Sequence, residues 1–276
     1  MTASFTTPPL IRIAALVGVV AAGVALTAGC SSDSDSADGT PGASGSAGAS
    51  SSVASSTTLS VFAAASLKKG FTEIADDYMK AHPEVTVKLN FDGSSSLVTQ
   101  IKQGATADVI ATADQKTMTS LGDQAVDPQI FAKNVLTIIT APGNPKKITS
   151  VADLAKPGVT TVLCAVAVPC GNAAAQVERN AGVDITPASE ETAVTGVVSK
   201  VTSGQADAGL VYTSDAKAAG SKVATVGDPA FASVVNSYPI ATVKDSKNTG
   251  AAATFIQEVL GTTGTGVLQG LGFGAK

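Results

Sequence analysis

From residue 59 onward the chain alternates short β-branched runs with segments whose apolar residues recur at helical spacing. The runs at 59–64, 107–112, 135–140, 160–166, 208–212, 223–226 and 234–243 are apolar and of strand length, and 85–91 alternates strictly. Between them, Leu67, Phe71, Ile74, Ala75 and Tyr78 fall on one helical face, as do Leu97, Val98 and Ile101. Further helices are predicted at 173–180, at 190–203 with Val194, Val197, Val198 and Val201 on one face, and at 254–260 and 267–271. This alternation predicts an α/β architecture of parallel strands with helices on both faces. In such sheets ligands bind beyond the C-terminal ends of the strands.

Several of those strand ends carry small hydroxyl residues. Ala63-Ala64-Ala65-Ser66-Leu67 turns from strand to helix, and Ser66 is expected at or near an N-cap. Asp92-Gly93-Ser94-Ser95-Ser96 forms a second such corner. Val168-Pro169-Cys170-Gly171-Asn172 reads as a turn. The first N–H groups of a helix lack internal partners and sit at the positive end of its dipole, so a corner of this kind receives an anion without a charged side chain. Ordinary capping accounts for any one of these serines equally well. A site built of hydroxyls and helix N-termini accepts a fully ionised anion. It disfavours one that carries an O–H, which needs an acceptor.

The first 29 residues have the form of a secretory signal. Arg12 precedes an uncharged, mostly apolar run of about 14 residues, too short to span a bilayer comfortably. It ends in Thr27-Ala28-Gly29-Cys30, which resembles a lipobox with Leu26 one place early, so Cys30 is the expected lipidation site. The alternatives are ordinary secretion with cleavage nearby, or a plain N-terminal anchor. Residues 30–58 are nearly all Ser, Ala, Gly, Thr and Asp, a composition that buries too little apolar surface to fold. As a flexible coil they span roughly 30 Å, a tether between a membrane and the head at 59–276.

The net charge is −4 and no basic block occurs, which argues against nucleic acid as a partner. Cys164 and Cys170 remain once Cys30 is set aside; outside the cytoplasm a disulfide between them is expected, the alternative being two buried thiols. Their spacing is not a metal signature, and a chain with one histidine has little to build a Zn site from. That histidine, His82, sits in a helix-ending turn without triad partners. With no Gly-x-Ser-x-Gly elbow and no phosphate-binding loop, the chain reads as a binding protein and not an enzyme. The distant alternative is a secreted hydrolase using Ser66 or Ser94 as nucleophile.

Taken together and in order, these motifs resemble the molybdate-binding proteins of ABC importers. The resemblance runs from residue 59 to the C-terminus. It rests on Ala63-Ala64-Ala65-Ser66-Leu67, Phe91-Asp92-Gly93-Ser94-Ser95-Ser96-Leu97, Ala107-Asp108-Val109 with Ala113-Asp114-Gln115, Val168-Pro169-Cys170-Gly171, Gly209-Leu210-Val211-Tyr212-Thr213-Ser214-Asp215-Ala216 and Gly272-Phe273-Gly274. It implies a type II periplasmic-binding-protein fold, with one lobe at about 59–133 and 239–276, the other at about 134–238, and a two-strand hinge. It implies that molybdate or tungstate is held between the lobes by Ser66 and Ser94, by the backbone N–H of Cys170 and of Val194, and by the Tyr212 hydroxyl. No cofactor and no cation site are implied. Val194 also packs on a helix face, and its N–H is free to bind while its side chain does so. Asp92, two residues before Ser94, is the departure that most bears on an anion site. The partners implied are an importer permease with its ATPase and the membrane, the latter through Cys30. The protein is expected to be an extracytoplasmic monomer. Sulfate or phosphate is the alternative ligand.

Overall fold

The computed structural model describes residues 56–276. The expected signal segment, Cys30 and the linker as far as residue 55 lie outside the described residues. β1 (Thr57–Ala64) begins inside the stretch expected to be linker, because Thr57 and Thr58 pair in register with Val85 and Thr86.

The chain continues through α1 (Lys68–Ala81), β2 (Val85–Asp92), α2 (Ser94–Lys102), β3 (Val109–Ala111), α3 (Gln115–Thr119) and β4 (Ala125–Thr140). Then come β5 (Thr161–Cys164), α4 (Pro169–Ala181), β6 (Ser189–Glu191), α5 (Val194–Thr202), β7 (Ala208–Tyr212), α6 (Thr213–Ala219) and β8 (Ala224–Val226). β9 (Val235–Val243), α7 (Thr249–Leu260) and α8 (Thr262–Gly270) complete it. The strands form one path, β2-β1-β3-β9-β4-β7-β5-β6, with β8 paired to β4.

The flanks are parallel, as expected: β1 pairs with β2 and β3, and β5 with β6 and β7. The middle is not. β9 runs antiparallel to β3, and β4 runs antiparallel to β7, β8 and β9. The reason is connectivity, since β4 and β9 carry the chain from one flank to the other and back. Residues 125–134 of β4 were not expected as strand, because Asp127-Pro128 interrupts their apolar residues before any period is established. The structure accommodates these through register shifts against β9, with Asp127 at φ 50°.

Two further expectations are corrected. Pro169 to Asn172 form the first turn of α4 and not a separate turn; proline's fixed φ suits the first helical position. The helix expected at 190–203 begins only at Val194, because Ser189 to Glu191 pair with β5.

Successive β1 residues face opposite sides of the sheet. Leu59, Val61 and Ala63 enter the larger core, where Phe71 of α1 packs on Phe131 and Phe255 at centroid separations of 5.7 and 6.2 Å. Phe62 joins Leu97, Ile101 and Ile110 in a smaller core on the other side. Burying side chains of this size stabilises by roughly 1.5–3 kcal/mol each, so the β1 corner is held from both faces.

Candidate functional site

The C-terminal ends of β1 and β7 and the starts of α2, α4 and α5 converge on one small cavity of about 20 Å3. Its walls include Ser66, Ser94, Cys170, Val194 and Tyr212, all five residues singled out in the sequence. Among the described residues that line it none is charged; the others are alanines, Gly93, Val168, Pro169 and Thr192.

Ser66 and Ser94 come from the first flank. Ser66 is not an N-cap. A 3-10 turn, Ala65–Leu67, precedes α1, so the entering position falls on Ala64 and Ser66 makes no capping bond. Its Oγ instead lies 3.1 Å from the Tyr238 hydroxyl. Ser94 is the first residue of α2, with Gly93 in the cap position. The N–H of Ala113 donates to Ser94 Oγ at 3.0 Å, which leaves the serine's own proton free to donate.

The second flank supplies chiefly main chain. Cys170 and Val194 are the second residue of α4 and the first of α5, where N–H groups lack helical partners. Their side chains are buried, and Cys170 is joined to Cys164 across a Cα–Cα distance of 5.7 Å. Tyr212 closes β7, and its hydroxyl accepts from Asn236 Nδ2 at 3.0 Å. Burial pushes the Tyr212 and Tyr238 phenols well above the ordinary tyrosine range, so both hydroxyls keep their protons.

Asp92 does not line the cavity. Its carboxylate accepts from the Gly93 N–H at 2.7 Å and from Gln100 Nε2 at 3.3 Å, which turns it along α2 and away from the corner. Asp215 is a buried acid behind the cavity, accepting from the Tyr212 N–H at 3.1 Å, and burial pushes its carboxyl up to about 7. It borders a broader groove of about 820 Å3 between α1 and the α5–α6 pair, which reaches Ser66 from outside. Neither serine has a general base. Ser66 meets a phenol and Ser94 a backbone N–H, while His82 ends α1 stacked on Tyr78.

The two flanks touch around this cavity. A Cβ added at Gly93 would overlap the carbonyl oxygen of Thr192. Ser95 Oγ donates to the Ala167 carbonyl at 3.1 Å. Three contributors carry no local signal of their own: Gly93 and Ala113, which are small, and Thr192, which contributes main chain. Asn236 did carry a signal, an amide inside the apolar run 234–243, and it was missed.

Residues 59–274 match the family described as bacterial extracellular solute-binding protein. The Molybdate-binding protein ModA of Mycobacterium tuberculosis is 46% identical over 219 residues, which cover 78% of this chain and 84% of the relative. Among solved structures, the Azotobacter vinelandii periplasmic molybdate-binding protein superposes with a TM-score of 0.68 at 22% identity, covering 79% of this chain and 99% of that one. The sulfate-binding protein SubI from Mycobacterium tuberculosis gives 0.64 at 19%, covering 79% and 86%. These two likenesses are of fold, and the fold is that of periplasmic binding proteins.

Proposed function

The chain belongs to the bacterial extracellular solute-binding proteins, and from that premise we propose that it captures molybdate or tungstate and hands it to an ABC importer. The observation that carries this reading is the cavity. Ser66 and Ser94 from one flank, and Cys170, Val194 and Tyr212 from the other, line one space without a charged side chain. Five donors of this kind suit a tetrahedral dianion that has no proton to give. The 46% identity to a protein named for molybdate binding supports molybdate over other oxyanions.

The mechanism is closure. One lobe comprises about 59–133 and 239–276 and the other about 134–238, with β4 and β9 as the hinge strands. An anion that bonds to both lobes favours the closed arrangement by its differential affinity for it. The contacts of Gly93 with Thr192 and of Ser95 with Ala167 are those such an arrangement needs. The closed form is what the permease and its ATPase receive. Molybdate is the cargo, and the site calls for no cofactor. The signal segment and Cys30 supply the membrane anchor, and the head works as a monomer.

Isothermal titration of the head with molybdate, tungstate, sulfate and phosphate tests the reading. Tight binding of the first two is expected. Tight sulfate binding with no molybdate heat would overturn it in favour of another oxyanion.

A further inference from the structure

Asn236 is the second residue of β9, one of the two strands shared by both flanks, and is 7% exposed. Its backbone is in register with Asn134 of β4. Its side-chain amide donates twice from the same nitrogen, to the Ala113 carbonyl at 3.0 Å and to the Tyr212 hydroxyl at 3.0 Å. Ala113 follows β3 in one flank, and Tyr212 ends β7 in the other. One NH2 group therefore ties together the two sides of the cavity.

The direction of these bonds follows from the partners. A backbone carbonyl only accepts, so the atom facing Ala113 is the amide nitrogen and the orientation of the amide is fixed. The same nitrogen must then donate to Tyr212 Oη. The phenol, already accepting from Asn236, has one proton to give, either to the cavity it lines or to the neighbouring Tyr238 hydroxyl. Ala113 completes the pattern, since its own N–H donates to Ser94 Oγ and leaves the Ser94 proton free. Ser66 differs. Its partner is another hydroxyl, that of Tyr238, and either oxygen can act as donor.

We propose that Asn236 is a positioning residue that sets the selectivity of the site. Through Tyr212 directly, and by bracing the Ala113 peptide that serves Ser94, it occupies one acceptor lone pair on each of two hydroxyls and so favours them as donors to the anion. The site then rejects oxyanions that carry a proton, such as hydrogen phosphate. This inference rests on the oxyanion-binding function proposed above. A fully deprotonated tetrahedral dianion accepts from both hydroxyls. Hydrogen phosphate has to donate one O–H, and a hydroxyl that accepts it must turn its own proton off the anion and give up a donor that a fully ionised anion keeps.

Calorimetric titration of the wild-type head and of Asn236→Leu, in mildly alkaline buffer with molybdate and with phosphate, tests the selectivity. Leucine keeps the shape and removes both donors, so the Tyr212 hydroxyl is free to turn. Molybdate is expected to weaken about tenfold, the loss of one or two buried hydrogen bonds. Phosphate is expected to hold or strengthen, so that the ratio of the two dissociation constants falls at least about tenfold. A residue with a merely structural role would weaken both anions alike, and that result, or an unchanged ratio, overturns the proposal.

A second measurement uses the ligand-free protein and does not depend on Asn236→Leu folding. In amide-detected NMR of wild type and Tyr212→Phe, one of the two Asn236 side-chain protons should shift and the other should hold. No shift overturns the tie whatever anion the protein binds. If wild type takes up no molybdate, the proposed function fails, and the NMR result still judges the tie separately.

Discussion

The two flanks approach the same cavity with different chemistry. The first brings side-chain hydroxyls, Ser66 and Ser94, each held by a hydrogen bond behind it. The second brings mostly backbone, the N-termini of α4 and α5, with only Tyr212 reaching in by its side chain. A hydroxyl is deleted by one substitution. A backbone N–H can only be displaced, and two glycines show how closely the main chain is packed to hold it. Gly171, next to Cys170, lies against the Ala165 and Cys164 carbonyls of its own flank. Gly93, before Ser94, lies against the Thr192 carbonyl of the other flank.

Equal in chemistry, these two glycines should fail differently. In Gly171→Ala the new Cβ meets main chain that belongs to the same folding unit. The start of α4 must move, and stability should fall by about 3 kcal/mol or more, with molybdate binding lost. Chemical denaturation should show the lowered midpoint. In Gly93→Ala the overlap arises only when the flanks meet. The ligand-free head should keep a midpoint close to wild type while affinity drops about a hundredfold. If Gly93→Ala unfolds the head as Gly171→Ala does, the contact with Thr192 belongs to folding and not to closure.

The hydroxyls come next in size. Ser94→Ala and Tyr212→Phe each remove a donor to the anion, and Ser94→Ala also leaves the buried Ala113 N–H without its acceptor. Each should weaken molybdate binding by about 1–3 kcal/mol by calorimetry. Unchanged affinity in both would place the anion elsewhere and dissolve the contrast between the flanks.

The sequence made the first flank easier to read than the second. Ser66 and Ser94 stand at corners where a period-2 strand gives way to a helical face, so their neighbourhood was visible residue by residue. Even there the local detail escaped: a 3-10 turn moved the cap from Ser66 to Ala64, a shift of two residues that periodicity does not resolve. For the second flank, Cys170 and Val194 were reached through the family motif and the spacing to Tyr212. A backbone N–H leaves no mark on residue type. The strand order was legible only in the flanks, where parallel pairing follows from strand–helix alternation. In β4, Asp127-Pro128 hid ten residues of strand, and the strand's partner β9 lies about a hundred residues on. Asn236 was overlooked because its partners are a carbonyl and a phenol far apart in sequence, at 113 and 212.

The smallest effect on binding should come from the most conspicuous feature of the second flank. Cys164 and Cys170 are six residues apart and paired, and Cys170 is one of the five cavity residues. Its contribution there is a main-chain N–H, held by the helix start after Pro169 and by the close packing of Gly171 on Ala165. The sulfur bridge is additional to both. Closing so short a loop restricts the unfolded chain, which corresponds to about 2 kcal/mol of stability. The double variant Cys164→Ser/Cys170→Ser should therefore unfold at lower denaturant, while its molybdate affinity stays within about threefold of wild type. Reduction of the wild-type bridge should act the same way. A loss of affinity as large as that of Ser94→Ala would mean that the bridge, and not the packed backbone, sets the position of the N–H. The second flank would then depend on a side chain as the first does.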